Sequence, residues 1–196
     1  MILIIDNYDS FTYNLVDIVS QHVSAEVKYV DDPDIFKLDK SEVEGVILSP
    51  GPGHPLDTDL LINIIDFYSS KPILGVCLGS QALTCYYGGD VLQGENIKHG
   101  KTDQFKRLGE SRLFNRVPKY FEIMRYHSLI SHPDTFPSVL NITGTTSDCI
   151  QSFEHKKFPH YGIQFHPESF ATEFGEEILL NFINITQKEG TQLEYN

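Results

Sequence analysis

The sequence predicts an α/β fold: a single domain whose central sheet is mostly parallel, flanked by helices and enlarged by additional antiparallel strands. Three observations carry this. Over the first two-thirds of the chain, short apolar runs alternate with helical periodicity, the pattern of parallel strands joined by covering helices. From Val91 to about Ile163 that rhythm gives way to short strand-like runs between turn residues, read as further strands of the same sheet. No linker-like stretch divides the chain, so residues 1–196 are taken as one domain.

Ile2–Ile5 is an unbroken apolar run, as expected of a strand buried on both faces. Ser10 can then cap a helix whose apolar positions are Phe11, Leu15, Ile18 and Val19. Val27–Val30 reads as a second strand, ended by Asp31-Asp32-Pro33. Val46-Ile47-Leu48 is a third and runs straight into Ser49-Pro50-Gly51-Pro52-Gly53. Leu60, Leu61, Ile64, Ile65 and Tyr68 mark the next helix, stopped by Lys71-Pro72 before a strand at Ile73–Val76. A helix through Gln81, Ala82, Leu83 and Tyr86 ends at Gly88-Gly89. Of the later runs, Leu140–Thr143 and Ile150–Phe153 are clearest, and Tyr161–Phe165 returns to a buried strand. Glu176–Ile185 is a closing amphipathic helix, with residues 187–196 expected as a frayed tail.

Charge and cysteine usage narrow the functional classes. With 27 acidic against 15 basic residues the net charge is −12, and the densest basic cluster is Lys156-Lys157. No nucleic-acid partner is expected, because affinity for phosphate backbones rests on clustered Lys and Arg. The three cysteines, Cys77, Cys85 and Cys149, form no Cys-x-x-Cys and suggest neither a disulfide framework nor a zinc ribbon. Free thiols persist best where the surroundings are reducing. Met1–Asp6 lacks the basic start of a signal peptide, and no apolar run approaches the ~20 residues of a membrane span. A cytoplasmic protein without a membrane partner is expected.

The sharpest motif is Gly75-Val76-Cys77-Leu78-Gly79, where a buried strand meets a helix. It is the cysteine counterpart of the Gly-x-Ser-x-Gly elbow, whose glycines allow a tight turn that lifts the central side chain above the sheet. At a helix start the dipole also favours a thiolate. The second motif, Phe165-His166-Pro167-Glu168, follows the last buried strand. Residues two apart in an extended segment share a side, and Pro167 biases His166 toward extended geometry. Glu168 can therefore orient the His166 ring, the base-plus-orienter arrangement that activates a nucleophile. Ser49-Pro50-Gly51-Pro52-Gly53 offers amides from Gly51 and Gly53 in a stiff loop suited to an oxyanion hole, with Leu78 the natural second donor. Cys85 and Cys149 are read as structural. His99, His132, His155 and His160 lack ligand spacing, so no metal is assigned. His127 precedes Ser128-Leu129, where a loop could touch substrate, but the sequence unaided does not single it out.

Together these segments resemble the class I, triad-type glutamine amidotransferases. Ile5–Thr12, Ser49–Gly53, His99-Gly100-Lys101 and Arg125–Leu129 resemble more narrowly the small subunits of anthranilate synthase and aminodeoxychorismate synthase. The resemblance implies Cys77 as nucleophile, His166 as acid/base and Glu168 as its orienter, with oxyanion amides from Gly53 and Leu78. It implies that Gly51, Pro52, Gly53, Gln81, Ser128 and Leu129 hold glutamine, and that Asn7–Ser10 and His99–Lys101 lie toward a partner. The chain length leaves no room for a chorismate-binding domain, so a chorismate-using synthase subunit is the expected partner. No cofactor is expected in this chain; the magnesium of the coupled reaction would belong to that partner. Relatives usually carry His where Ser80 stands. The product is read as ammonia for anthranilate and tryptophan, with 4-amino-4-deoxychorismate and folate, or service to both, as the alternative. A stand-alone γ-glutamyl cysteine hydrolase and an inactive regulatory module are the rivals from other classes.

Overall fold

A computed structural model of the chain describes the backbone of residues 1–193 and the side chains of residues 1–94 and 100–188. Strands β1 (Ile2–Asp6), β2 (Ala25–Tyr29), β3 (Gly45–Leu48) and β4 (Ile73–Val76) alternate with helices α1 (Thr12–Ser20) and α2 (Leu60–Phe67). Helix α3 (Leu78–Tyr86) leads to β5 (Val91–Arg107), β6 (Tyr120–Ser131), β7 (Leu140–Thr145), β8 (Ile150–His155) and β9 (His160–Ile163), and α4 (Gly175–Leu193) closes the chain. Among the described residues the nine strands form one sheet in the order β2-β1-β3-β4-β9-β8-β7-β5-β6.

Pairings from β2 through β9 are parallel, and those from β9 outward are antiparallel. The mixed α/β sheet expected from the sequence is therefore present, with β9 as the seam. Alternation along β1 explains why both faces must be covered: Ile2 and Ile4 pack with Leu15 and Val19 of α1 and with Ile178 and Phe182 of α4. Leu3 and Ile5 pack on the opposite side with Ile64 and Ile65 of α2 and Ala82 and Leu83 of α3. Each of these side chains is buried, worth roughly 1.5–3 kcal/mol apiece for the larger aliphatics.

Several local expectations are corrected. Phe11, not Ser10, is the N-cap of α1, without a side-chain capping bond. The turn is held instead by Asp9 Oδ1, accepting from Phe11 N–H at 2.8 Å, and by Asp6 Oδ1, accepting from Thr12 Oγ1 at 2.8 Å. Helix α2 ends at Phe67, before Lys71-Pro72 is reached. The runs expected to be short become a 17-residue β5 and a 12-residue β6, paired through two register shifts. Strand β9 ends at Ile163, two residues earlier than expected. Residues 187–193, expected as tail, continue helix α4; residues 194–196 lie outside the described residues. Among the described residues no helix is long and apolar enough to cross a membrane.

Candidate active site

The carboxyl ends of β1, β3, β4 and β9 lie side by side, where open α/β sheets gather ligand sites. The loop after β1 is tied to the loop after β3 by Asn7, whose Nδ2 donates to Ser49 O at 2.8 Å and whose N–H donates to Ser49 Oγ at 2.9 Å.

Cys77 occupies the corner between β4 and α3 with φ 52° and ψ −103°. A non-glycine residue in that region carries roughly 1–3 kcal/mol of strain, which the surroundings must hold. They do so by close approach. A Cβ on Gly75 would sit 2.4 Å from the Gly79 carbonyl, and one on Gly79 would sit 2.4 Å from Leu48 O. Only glycines let β4, α3 and β3 approach this closely. Cys77 N–H donates to Ile163 O of β9 at 2.8 Å, and Gln81 N–H donates back to Cys77 O at 3.1 Å.

The segment after β9 brings His166 and Glu168 to the same corner. His166 Nδ1–H donates to Glu168 Oε1 at 2.6 Å, with both residues buried. The backbone of His166 is fixed by Thr172 Oγ1–H, which donates to His166 O at 2.6 Å, and by His166 N–H, which donates to Met124 O at 3.2 Å. Phe11 and Tyr126 flank the ring, with centroids 5.8 and 5.0 Å away. Burial works against a charged imidazole here, but the Cys77 sulfur and the Glu168 carboxylate outweigh it and push His166 up to about 10. Nε2 is buried without a hydrogen-bond partner, so a proton-accepting or proton-donating atom is held in reserve beside the cysteine.

A cavity of about 430 Å³ opens at Cys77, within the size range of small-molecule sites. Of the residues singled out in the sequence, Gly51, Pro52, Gly53, Cys77, Gln81, Ser128 and Leu129 line it together. Gly53 has φ +80°, which turns this end of the loop. Leu78 is not in the lining; it is the first residue of α3. Asn7 to Ser10 form the turn before α1, and the His99–Lys101 backbone lies in β5 against Tyr126 and Arg125 of β6. A wider cleft of about 810 Å³, lined by Arg107, Arg112, Arg116 and Lys188 among others, contains neither cysteine nor histidine.

Sequence reasoning missed His54, Tyr126 and Gln164 and left His127 unresolved. His54 and Tyr126 line the cavity with His127, and Gln164 Nε2 lies 3.5 Å from Cys77 Sγ. His127 Nε2 accepts from Arg125 Nε at 3.2 Å, while its Nδ1–H donates to Leu129 O at 2.9 Å. Burial and the Arg125 charge lower His127 to about 4, so at neutral pH it is an uncharged strut. Arg125 is itself buried; its Nη1 pairs with Asp103 Oδ2 at 2.5 Å and with Asp148 Oδ1 at 2.8 Å. The detectable signal was the partial likeness of Arg125–Leu129 to known segments; the charge partners are remote in sequence.

The family model for class-I glutamine amidotransferases matches residues 3–185. The aminodeoxychorismate/anthranilate synthase component 2 of Bacillus subtilis is 40% identical, over 96% of this chain and 98% of that protein. The anthranilate synthase component 2 of Methanothermobacter thermautotrophicus is also 40% identical, over 94% and 99%. A crystal structure from Thermoplasma acidophilum, provisionally described as one subunit of a GMP synthase, superimposes with a TM-score of 0.89 at 24% identity, covering 100% of this chain and 97% of its own.

Proposed function

Because this chain belongs to the class-I glutamine amidotransferases, we propose that it hydrolyses the side-chain amide of glutamine with a Cys77–His166–Glu168 triad and passes the ammonia to a chorismate-using synthase that makes anthranilate. The observation that carries the reading is the orphaned, buried His166 Nε2, held by Glu168 next to a cysteine on a strained strand-to-helix corner.

Cys77 attacks the amide carbon of glutamine. Charge gathers on the amide oxygen, where the Gly53 and Leu78 N–H groups receive it, each worth about 3 kcal/mol in such sites. His166 protonates the nitrogen as the C–N bond breaks, releasing ammonia and leaving a γ-glutamyl thioester. The same imidazole then takes a proton from water, which attacks the thioester and frees glutamate and Cys77. Gly51, Pro52, Gly53, Gln81, Ser128 and Leu129 hold the rest of the substrate. Thiolate, imidazole and backbone amides suffice, so no cofactor is assigned to this chain.

Support for a partner comes from the relatives, which are named as second components of synthases. It also comes from apolar side chains left in solvent: Phe170, two residues beyond Glu168, is 99% exposed, and Tyr8 in the loop after β1 is 59% exposed. Aminodeoxychorismate synthesis is the second reading, favoured by the B. subtilis relative, which is named for both products. Glutamate release from glutamine, measured for the chain alone and with the chorismate enzyme that co-purifies from its source, tests the proposal. Weak turnover alone and strong stimulation in the complex, with anthranilate formed from chorismate, is the expected result. Absence of glutaminase activity in the complex, or full activity without any partner, contradicts it.

A further inference from the structure

An unbroken line of hydrogen bonds joins a buried ion cluster to the sulfur of Cys77. Arg125 Nε–H donates to His127 Nε2 at 3.2 Å, and His127 Nδ1–H donates to Leu129 O at 2.9 Å. The same carbonyl accepts from Gln81 Nε2 at 3.1 Å. Gln81 Nε2 also donates to Gln164 Oε1 at 3.1 Å, and Gln164 Nε2 reaches Cys77 Sγ at 3.5 Å, within range for a sulfur acceptor. Gln81 and Gln164 are 3% and 2% exposed, so water does not compete for these groups.

The polarity of this line is forced. A guanidinium only donates and a carbonyl only accepts. Arg125 therefore fixes His127 as the Nδ1–H tautomer, and Leu129 O obliges Gln81 to present its NH₂ group. The second N–H of Gln81 can meet Gln164 only at its acceptor, Oε1, which turns the Gln164 NH₂ group toward Cys77. The line must end in a donor, and a donor on sulfur favours the thiolate over the thiol.

Resting on the reading of Cys77 as nucleophile, we infer that Gln164 is a positioning residue, presenting a preset N–H donor that stabilises and aims the Cys77 thiolate. Among the described residues, the charged and titratable groups around this sulfur are His166 with Glu168 from the segment after β9, His54 from the loop after β3, and Tyr126 of β6, which packs on the His166 ring. From β6 come His127 and, behind it, Arg125, which is paired with Asp103 of β5 and Asp148 of the β7–β8 turn.

Alkylation of Cys77 by iodoacetamide, followed on its own peptide by mass spectrometry between pH 5 and 10, reads thiolate availability without requiring glutamine. Gln164→Met keeps the volume and removes the donor; Gln164→Glu keeps the shape and places a carboxylate against the sulfur. A tenfold loss of thiolate, partly offset by the greater nucleophilicity of a more basic thiolate, slows alkylation about threefold. Gln164→Met is expected to show that deficit at pH 6 and none near pH 10, and Gln164→Glu a larger one. Gln81→Met, which cuts the line one link earlier, gives a smaller deficit of the same sign and replaces Gln164→Met if that variant fails to fold. Native rates at pH 6 in well-folded Gln164→Met, or in Gln81→Met if it replaces that variant, overturn the inference while leaving the glutaminase reading intact. Absence of glutaminase activity in the complex, with the alkylation pattern as expected, fails the proposed function alone.

Discussion

His166 and Glu168 sit two residues apart with Nδ1 and Oε1 2.6 Å from each other, and each keeps one buried atom, Nε2 and Oε2, without a hydrogen-bond partner. In a site closed to water such orphans are costly, commonly 1–3 kcal/mol each, and they persist where a reacting molecule completes them. Nε2 faces the reaction under the proposed chemistry, and Glu168 keeps the proton on Nδ1 so that Nε2 is the atom that acts.

Glu168→Gln preserves the shape but removes the charge that helps hold His166 up to about 10. Turnover should fall by roughly 10²–10⁴ with little change in KM, as when an orienting carboxylate is neutralised elsewhere. The pH sign follows from a folded value above the unfolded ~6.5. The stabilisation is complete below about pH 6.5 and is lost as pH rises toward 10. The stability gap between the native chain and Glu168→Gln, measured by denaturant titration, should therefore shrink between pH 6.5 and 10.

His127 has the opposite sign. Its folded value of about 4 lies below the unfolded ~6.5, so the unfolded chain takes up the proton first as pH falls. Its contribution is present above about pH 6.5 and is lost toward pH 4, by about 3 kcal/mol. His160 carries a similar shift, to about 4. Burial and Lys157 also lower His155, so His127→Gln should reduce the histidine-linked acid sensitivity in melts between pH 6.5 and 4 without abolishing it.

Gly79→Ala places a methyl 2.4 Å from Leu48 O, a backbone atom of β3 that cannot swing aside. A loss of about 1–3 kcal/mol is expected, several degrees in Tm for a domain of this size. The Cys77 corner must shift to accommodate the methyl, and a displacement of that order costs about 10² in turnover. Thermal melts and glutaminase rates on one preparation check both.

The elbow and the His166–Glu168 segment were legible because their chemistry is local: glycines at set offsets around a cysteine, and two side chains on one extended stretch. The inner strands β1, β3 and β4 were legible because burial on both faces leaves continuous apolar runs. The Arg125 network was not, because Arg125, Asp103 and Asp148 read singly as solvated charges and meet only when β5, β6 and the β7–β8 turn are brought together. The length of β5 was hidden for a related reason: its polar residues are held by pairing with β6, not by their own pattern. The Ser10 cap failed because Asp6 and Asp9 supply the acceptors that a serine would otherwise provide.

In the proposed reaction the Cys77 sulfur carries the γ-glutamyl group. Acid quenching of the complex during turnover of isotopically labelled glutamine, followed by peptide mass spectrometry, measures this directly. A labelled glutamyl thioester on the Cys77 peptide, missing from Cys77→Ala together with glutamate release, is the predicted result. Undiminished glutamate release by Cys77→Ala, or an adduct on Cys85 or Cys149 in its place, would contradict the account.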